Sequence, residues 1–234
     1  MWLYAALLSG SFIIPFVLSF DRKLQFYKQW KYVLPSIITV ALFYMVFDIF
    51  FTAKGVWGFN PGYHSSIYFF NLPVEEVLFF IAIPYACIFL HESFILYFPG
   101  IKLNATTGRV VTAIVLFFLI LMITIHLNKI YTVYSGSLMI IALILSFLDK
   151  SFLINRFYIT FLVILVPFLL VNGILTGSFI KQEVVWYNDH ENLGIRIFAI
   201  PVEDFGYAFS LILFNLLLIS KLKGLYPKTK HTSF

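Results

Sequence analysis

The sequence has little charge and a single cysteine. Charged residues make up 12% of the 234 residues, whereas an average soluble domain has about 25%. That is too little charge to cover a surface that faces water. Because Cys87 is alone, an internal disulfide and any metal or iron–sulfur site built from several cysteines are excluded. The net charge of +5 would favour nucleic acid in a soluble chain, but in so apolar a chain it reports membrane topology, and we expect no nucleic-acid partner.

Several cofactor motifs are missing as well. No G-x-G-x-x-G follows a predicted strand, which excludes a Rossmann domain holding a flavin or a nicotinamide. No aspartate-rich DDxxD-type run is present to hold magnesium diphosphate, which argues against prenyl transfer. His126 and His190 lack ligand spacing around them, so no metal site is expected. The last apolar segment has no lysine before Lys221, which argues against a retinal Schiff base in mid-membrane.

What the chain does have is long apolar runs, with 61% hydrophobic and 20% aromatic residues. A helix needs about 20 apolar residues to cross about 30 Å of hydrocarbon. Seven stretches qualify, and the connections between them are short. We therefore predict an all-α integral membrane protein with seven transmembrane helices. The first stretch lacks a basic leader and a cleavage site, which favours a retained span. The stretches are Met1–Phe20, Tyr32–Phe51, Pro73–Phe98, Val110–Leu127, Tyr131–Phe147, Phe157–Thr176 and Ile200–Ser220.

The basic residues predict the orientation of these spans. If the N-terminus lies outside, 12 of the 16 Lys and Arg residues fall in cytoplasmic connections or in the C-terminal tail. The remaining four are Lys54, Lys129, Lys181 and Arg196. An excess of positive charge marks the cytoplasmic side. The expected protein is a multi-pass protein of the cell membrane with its N-terminus outside and its C-terminus in the cytoplasm.

The sequence also repeats itself. The segment that starts at Val56 superposes without a gap on the segment that starts at Val184, with an offset of 128 residues. Upstream, Asp48 resembles Asn172 after a further shift of four residues. Each copy has an aromatic-Asn loop followed by Pro-Val-acid-acid at the start of a span. The superposed pairs include Phe59 with Tyr187, Asn60 with Asn188, Pro73 with Pro201, Glu75 with Glu203, Glu76 with Asp204 and Phe79 with Tyr207.

The spacing of the copies predicts how the chain is organised. The two copies open the third and the seventh span, an even number of spans apart, so both point the same way through the bilayer. We therefore predict two parallel three-helix repeats joined by one connecting helix. The first repeat covers residues 1–108, the connecting transmembrane helix covers 109–130, and the second repeat with a basic cytoplasmic tail covers 131–234.

Acidic residues inside spans are the candidate catalytic groups, because a charge in the bilayer is costly and indicates function. The alternatives are compensation of the helix dipole for the paired acids and an interfacial acid for Asp48. Successive helical residues point about 100° apart, so we expect one member of each pair to face a cavity and its neighbour to pair elsewhere. The sequence leaves open which member does so. The candidates are Glu75, Glu76, Glu203, Asp204 and Asp48.

Aromatic and amide side chains near these acids are the candidate substrate-binding groups. Aromatic faces stabilise a cation through their quadrupole. The alternatives are interfacial anchors for the aromatic residues and caps or loop hydrogen bonds for the asparagines. The candidates are Trp57, Phe59, Asn60, Tyr63, Phe79, Phe80, Asn172, Trp186, Tyr187, Asn188 and Tyr207.

These motifs resemble the membrane-embedded lycopene cyclases, which occur as heterodimers in many bacteria and as fused single chains elsewhere. GVWGFNP and LPVEEVLFF, between Asp48 and Phe80, are similar to the signature of one subunit type. PVEDFGY, between Asn172 and Asn215, is similar to the degenerate second half. The likeness covers nearly the whole chain. The two copies differ at Val185, which aligns with Trp57, and at Asn172, which aligns with Asp48. These differences indicate that the halves are not catalytically equivalent.

The resemblance implies acid-catalysed cyclisation of the ψ ends of lycopene, most often to β-rings, giving γ-carotene and then β-carotene. An acid would donate a proton, a carboxylate would remove one, and aromatic faces would guard the carbocation. No cofactor is then required stoichiometrically, while a dependence on reduced flavin or NAD(P)H stays open. The expected partners are lycopene and other carotenoids, the bilayer and other enzymes of the pathway. Two alternatives are a cyclase of C50 carotenoids or other isoprenoids, and a transporter or channel with intramembrane acids.

Overall fold

A computed structural model describes residues 2–149 and 151–225. Six helices in these ranges are long and apolar enough to cross a membrane, so the predicted multi-pass helical chain is confirmed at that level. Three of the basic residues expected on the cytoplasmic side lie outside the described residues, namely Lys150, Lys228 and Lys230. The helices are α1 (Leu3–Leu18), α2 (Trp30–Ala53), α3 (Val74–Tyr97), α4 (Ala105–Ile125), α5 (Ile130–Leu148), α6 (Leu153–Leu175) and α7 (Val202–Leu225), with a short 3₁₀ helix at Phe26–Gln29.

Helix α1 is the shortest of the seven. Its 16 residues give a length of about 24 Å at 1.5 Å per residue, less than the hydrocarbon thickness of about 30 Å. The helix packs along α3 in the same direction, since Tyr4 at its start reaches Glu76 and Ser19 at its end lies 2.5 Å from the Tyr85 hydroxyl. A crossing by α1, and with it the seven-span topology and the orientation, stays a prediction.

Three predicted helix boundaries differ from the structure for the same physical reason. Helix α4 begins five residues before Val110 and contains Arg109, and α6 begins at Leu153 and contains Arg156. Helix α7 continues beyond Ser220 through Lys223 to Leu225. An apolar window ends where charged side chains begin, but a helix needs only its backbone hydrogen bonds and continues past them.

Six short strands form a layer at one end of the bundle, which we call the strand end. They form three antiparallel pairs, whereas the sequence predicted loops there. The strands are β1 (Trp57–Phe59), β2 (Tyr68–Phe69), β3 (Leu72–Pro73), β4 (Val185–Tyr187), β5 (Arg196–Ile197) and β6 (Ile200–Pro201). Strand β2 pairs with β3, β5 with β6, and β1 with β4.

The β1–β4 pair shows a two-fold relation between the repeats. Gly58 faces Trp186, and these two positions are equivalent at the offset of 128 residues. The flanking bonds are reciprocal too, because Asn60 N–H donates to Val184 O at 2.8 Å and Asn188 N–H donates to Val56 O at 2.9 Å. Helices α3 and α7 both start in this layer, so the pseudo-two-fold axis runs along the bundle rather than across it.

The repeats interlock instead of standing side by side. Within each repeat the first helix packs on the third, α1 on α3 and α5 on α7, and across the repeats α2 packs on α7 and α6 on α3. Helix α4 lies at the periphery, since 11% of its most apolar stretch is buried against 50% for α5. The main core joins both repeats through buried residues such as Ile37, Ile88, Phe157, Phe209 and Leu213.

Candidate active site

The four paired acids lie in the first turns of α3 and α7, at the strand end, and all four are buried. Each member of a pair contacts a different part of the protein, as the helical geometry predicts. Glu75 and Glu203 bind the loops that precede their helices, whereas Glu76 and Asp204 point to the interior of the bundle.

Glu75 and Glu203 hold equivalent loops. Ser65 N–H donates to Glu75 Oε1 at 2.7 Å, and Leu193 N–H donates to Glu203 Oε1 at 2.8 Å. Ser65 and Leu193 are themselves equivalent at the 128-residue offset. The Ser65 hydroxyl also donates to Glu75 Oε2 at 3.1 Å. Leucine has no hydroxyl. The Thr132 hydroxyl of α5 donates instead to Glu203 Oε1 at 2.6 Å, and Glu203 Oε2 is a buried atom without a hydrogen-bond partner among the described residues.

Asp204 is the best-satisfied carboxylate of the cluster. The Tyr131 hydroxyl donates to its Oδ1, and Oδ2 accepts hydrogen bonds from Asn172 Nδ2 at 2.8 Å and from the Tyr187 hydroxyl at 3.0 Å. These donors come from α5, α6 and β4. Burial, followed by the nearby Asp204 carboxylate, raises the pKa of the Tyr187 phenol well above its ordinary value, so Tyr187 stays a donor at neutral pH.

Glu76 and Asp48 occupy the corresponding place in the first repeat with fewer donors. The Tyr4 hydroxyl donates to Glu76 Oε2, and Trp57 Nε1 donates to Asp48 Oδ1 at 2.5 Å. The Thr52 hydroxyl lies 3.5 Å from the same Asp48 oxygen. Asp48 Oδ2 is buried and has no partner among the described residues. Glu76 interacts electrostatically with both Asp48 and Asp204, so these three groups form one central carboxyl cluster.

Aromatic rings connect the two sides of the cluster. Trp57, which is hydrogen-bonded to Asp48, lies 5.0 Å from the ring of Tyr131 between ring centroids. Tyr131 is hydrogen-bonded to Asp204 and stacks on Tyr187 at 5.8 Å between ring centroids. Tyr207 lies 6.4 Å from Tyr131 and 6.2 Å from Tyr134. The Tyr134 hydroxyl is buried and has no partner within the described part of the chain. The cluster is thus enclosed by π faces and phenol groups.

The other predicted binding residues divide into two groups. Phe80 is fully buried and packs with Tyr44 and Tyr207, while Phe59 and Phe79 pack in the cluster that contains Tyr4. Asn60 and Asn188 form equivalent turns in the loops, where their Oδ1 atoms accept backbone bonds from residues 62 and 190 at 3.0 and 3.1 Å. This is the alternative that the sequence left open for the asparagines.

Two further predicted residues do not reach the carboxyl groups with their side chains. The Trp186 indole covers Gly58, where an added Cβ would lie 2.4 Å from the indole ring, and Trp186 is 39% exposed. Tyr63 takes part through its backbone carbonyl, which accepts the Tyr4 N–H at 3.3 Å. Pairing of β1 with β4 turns Trp186 outward, which the sequence does not reveal.

The sequence interpretation missed Tyr4 and Tyr131. They are equivalent residues, because the N–H groups of Tyr4 and Tyr131 donate to the carbonyls of the equivalent residues Tyr63 and Glu191 at 3.3 and 2.9 Å. An offset of 127 residues aligns the two tyrosines. This one aligned pair, within two apolar runs, was the only sequence feature that could have identified them as equivalent.

The fold and the cluster define a multi-pass membrane protein whose two interlocked repeats bury carboxyl groups among aromatic rings. Comparison with protein families is in agreement. The model of the family described as lycopene cyclase matches residues 1–94 and 128–222, and the chain therefore belongs to the lycopene cyclase family. Membership implies an enzyme of carotenoid biosynthesis that cyclises carotenoids in a membrane. No curated protein and no solved structure matches the chain.

Proposed function

We propose that this chain cyclises the ψ ends of lycopene to β-rings, giving γ-carotene and then β-carotene. A proton adds to the terminal double bond, the ring closes through a carbocation, and a ring carbon loses a proton, so substrate and product have the same composition. The reaction consumes no stoichiometric cofactor, and an added reduced flavin or NAD(P)H would act on the protein rather than supply electrons to the product. The observation that carries the proposal is the central carboxyl cluster, enclosed by aromatic rings and built from both repeats.

Asp204 is the proton acceptor in this proposal. Three donors, Tyr131, Asn172 and Tyr187, point at its carboxylate oxygens. Hydrogen bonds to a carboxylate favour its charged form, and a charged carboxylate can take a proton from the ring and stabilise the cation that precedes this step.

Glu76 is the proton donor, with Asp48 beside it. Each accepts few hydrogen bonds, and two neighbouring buried carboxyl groups do not readily carry charge at the same time. A carboxyl group that keeps its proton at neutral pH is the general acid that alkene protonation needs. Asn172 takes the place of Asp48 in the second repeat and donates to Asp204, which supports different roles for the two repeats.

Glu75 and Glu203 position the site in this proposal. Each binds a backbone N–H ten residues earlier and so closes the loop over the start of its helix. The aromatic rings of Trp57, Tyr131, Tyr187 and Tyr207 exclude water and present their faces to the carbocation.

For the membrane arrangement we propose seven crossings in the cell membrane, with the N-terminus outside. The ends of the seven helices alternate along the chain. Tyr4 and Glu76 meet at the strand end, as do Asn71 and the Ile49 carbonyl of α2, and Tyr131 and Asp204. The excess of Lys and Arg at the opposite end supports placing that end in the cytoplasm.

Expression in a bacterium that accumulates lycopene, followed by chromatography of the pigments, tests the proposal. We expect lycopene to decrease while γ-carotene appears first and β-carotene later. Comparison with standards that carry ε- and γ-rings identifies the ring. Unchanged lycopene beside a well-expressed, membrane-inserted protein would overturn the assignment of the substrate. An ε- or γ-ring product would overturn the assignment of the ring alone.

A further inference from the structure

A cavity lies far from the carboxyl cluster, at the opposite end of the bundle. Its volume is about 440 Å³, and it is formed where α4 and α6 begin. The lining residues include Lys102, Asn104, Ser151, Phe152, Asn155 and Arg156. None of these residues takes part in the proposed chemistry.

The cavity carries positive charge that no acid of the described chain neutralises. The two salt bridges among the described residues join Arg196 to Asp189 and Lys223 to Glu92, so neither Lys102 nor Arg156 is paired. Asp149, the acid nearest in sequence, accepts hydrogen bonds from the Ser220 hydroxyl at 2.9 Å, from Leu153 N–H at 3.5 Å and from the hydroxyl of the lining residue Ser151, but it forms no ion pair with either cation. Two cations are therefore available for an anion.

Asn155 supplies the observation that points to a ligand. The residue is 8% exposed and lines the cavity, yet its side-chain amide makes no hydrogen bond to any described residue. Its Oδ1 lies against α4, where a Cβ on Gly108 would come within 1.9 Å of that atom. An amide that lines a cavity and has no protein partner is satisfied by water or by a ligand.

The surroundings of the cavity favour a lipid over a free anion. Large apolar side chains beside it are exposed, among them Ile101 at 49%, Val110 at 52% and Phe152 at 58%. In a membrane-spanning bundle such residues contact acyl chains, which places the cavity at the depth of the headgroups. Basic pockets between transmembrane helices bind anionic headgroups.

We propose that the cavity between the starts of α4 and α6 binds the phosphodiester of an anionic phospholipid. Lys102 and Arg156 compensate its charge, and the Asn155 amide donates to a phosphate oxygen. The acyl chains lie along the exposed apolar side chains of α4 and α6. The lipid site is separate from the carboxyl cluster, so a test of lipid binding does not depend on the proposed cyclase mechanism.

Native mass spectrometry of the full chain in neutral detergent tests the proposal, with dioleoyl phosphatidylglycerol, dioleoyl phosphatidylcholine and inorganic phosphate as the probes. We expect preferential binding of phosphatidylglycerol. A surface cation contributes about 1 kcal/mol to such binding, so Lys102→Gln with Arg156→Gln should weaken it about thirtyfold. The matched control, Arg22→Gln with Lys221→Gln, removes the same charge at the same end of the bundle outside the cavity lining, and should change the affinity less than twofold.

A second variant keeps the test decisive if the double variant does not fold. Asn155→Ala removes the unpartnered amide without a change in charge, and we expect it to weaken phosphatidylglycerol binding severalfold. Equal losses in the cavity pair and the control pair would overturn the proposal, as would unchanged binding by Asn155→Ala. Inorganic phosphate that binds as tightly as phosphatidylglycerol would overturn the lipid as the source of the phosphate group.

Discussion

At the scale of single residues, the neighbouring acids of each pair differ in what they contact. Glu76 and Asp204 point to the aromatic interior, and Glu75 and Glu203 bind backbone N–H groups of the loops. The four side chains therefore offer two matched pairs of substitutions, at the same depth and of the same kind, that separate chemistry from loop positioning.

We expect Glu76→Gln and Asp204→Asn to lower the conversion of lycopene about 100-fold or more, because general acid–base groups contribute about 10² to 10⁴. Glu75→Gln and Glu203→Gln serve as the controls. They should lower thermal stability and protein yield, while the conversion per folded molecule falls by less than tenfold. The measurement is pigment conversion normalised to folded protein. Equal losses in all four variants would contradict the division of roles.

The two equivalent tyrosines give a second comparison. Within the described part of the chain, Glu76 accepts one side-chain hydrogen bond, which comes from Tyr4. Asp204 accepts three, and it keeps those from Asn172 and Tyr187 when Tyr131 is replaced. We expect Tyr4→Phe to lower turnover about tenfold, because a buried carboxyl oxygen that loses its hydrogen-bond partner costs about 1–3 kcal/mol, and Tyr131→Phe to lower it less. Initial rates in membranes check this order. A larger loss in Tyr131→Phe would show that Asp204 depends more on its partners than the donor count indicates.

At the scale of elements, the contact between α5 and α7 positions Tyr131. Gly206 allows this close approach, since an added Cβ would lie 2.9 Å from the Ser135 hydroxyl oxygen. That hydroxyl donates to the Glu203 carbonyl at 2.6 Å. A larger side chain at residue 206 should therefore separate the two helices at the level of the carboxyl cluster.

Gly206→Leu should lower the unfolding temperature in detergent, because overpacking costs about 1–3 kcal/mol, and it should also lower turnover. Gly224→Leu on the same helix is the control, since nothing lies within 4 Å of an added Cβ there. That control should keep both properties, and improved helix propensity should slightly raise its stability. A stable and active Gly206→Leu protein would show that the α5–α7 contact is not needed to place Tyr131.

The acids, the short strands and the hydrogen-bond partners of the acids differ in how well the sequence predicts them. Glu76 and Asp204 were found because two polar residues in an otherwise apolar span repeat at a fixed offset. The strands were missed because two or three residues form no periodic pattern. Two partners of the acids, Tyr4 and Tyr131, were missed because they lie on other helices, and only tertiary packing brings them to the carboxyl groups.

At the scale of the whole molecule, the site belongs to neither repeat alone. Strand β1 pairs with β4, and α2 packs on α7. Trp57 from the first repeat touches Tyr131 from the second at 5.0 Å between ring centroids. The predicted division between residues 108 and 109 falls near the start of α4, after its first four residues, and away from every one of these contacts.

A chain divided there tests whether the repeats act as one unit. We expect residues 1–108 and residues 109–234, expressed separately, to leave lycopene unchanged, because each fragment exposes the apolar faces that the other covers and holds only part of the carboxyl cluster. Co-expression should restore cyclisation, measured by chromatography of the pigments, and the two fragments should purify together. As the matched control, Glu76→Gln in the first fragment should abolish the restored activity without preventing co-purification. Conversion of lycopene by either fragment alone would contradict a site shared between the repeats, because Glu76 lies in one fragment and Asp204 in the other, and one of the two carboxyl groups would then not be needed.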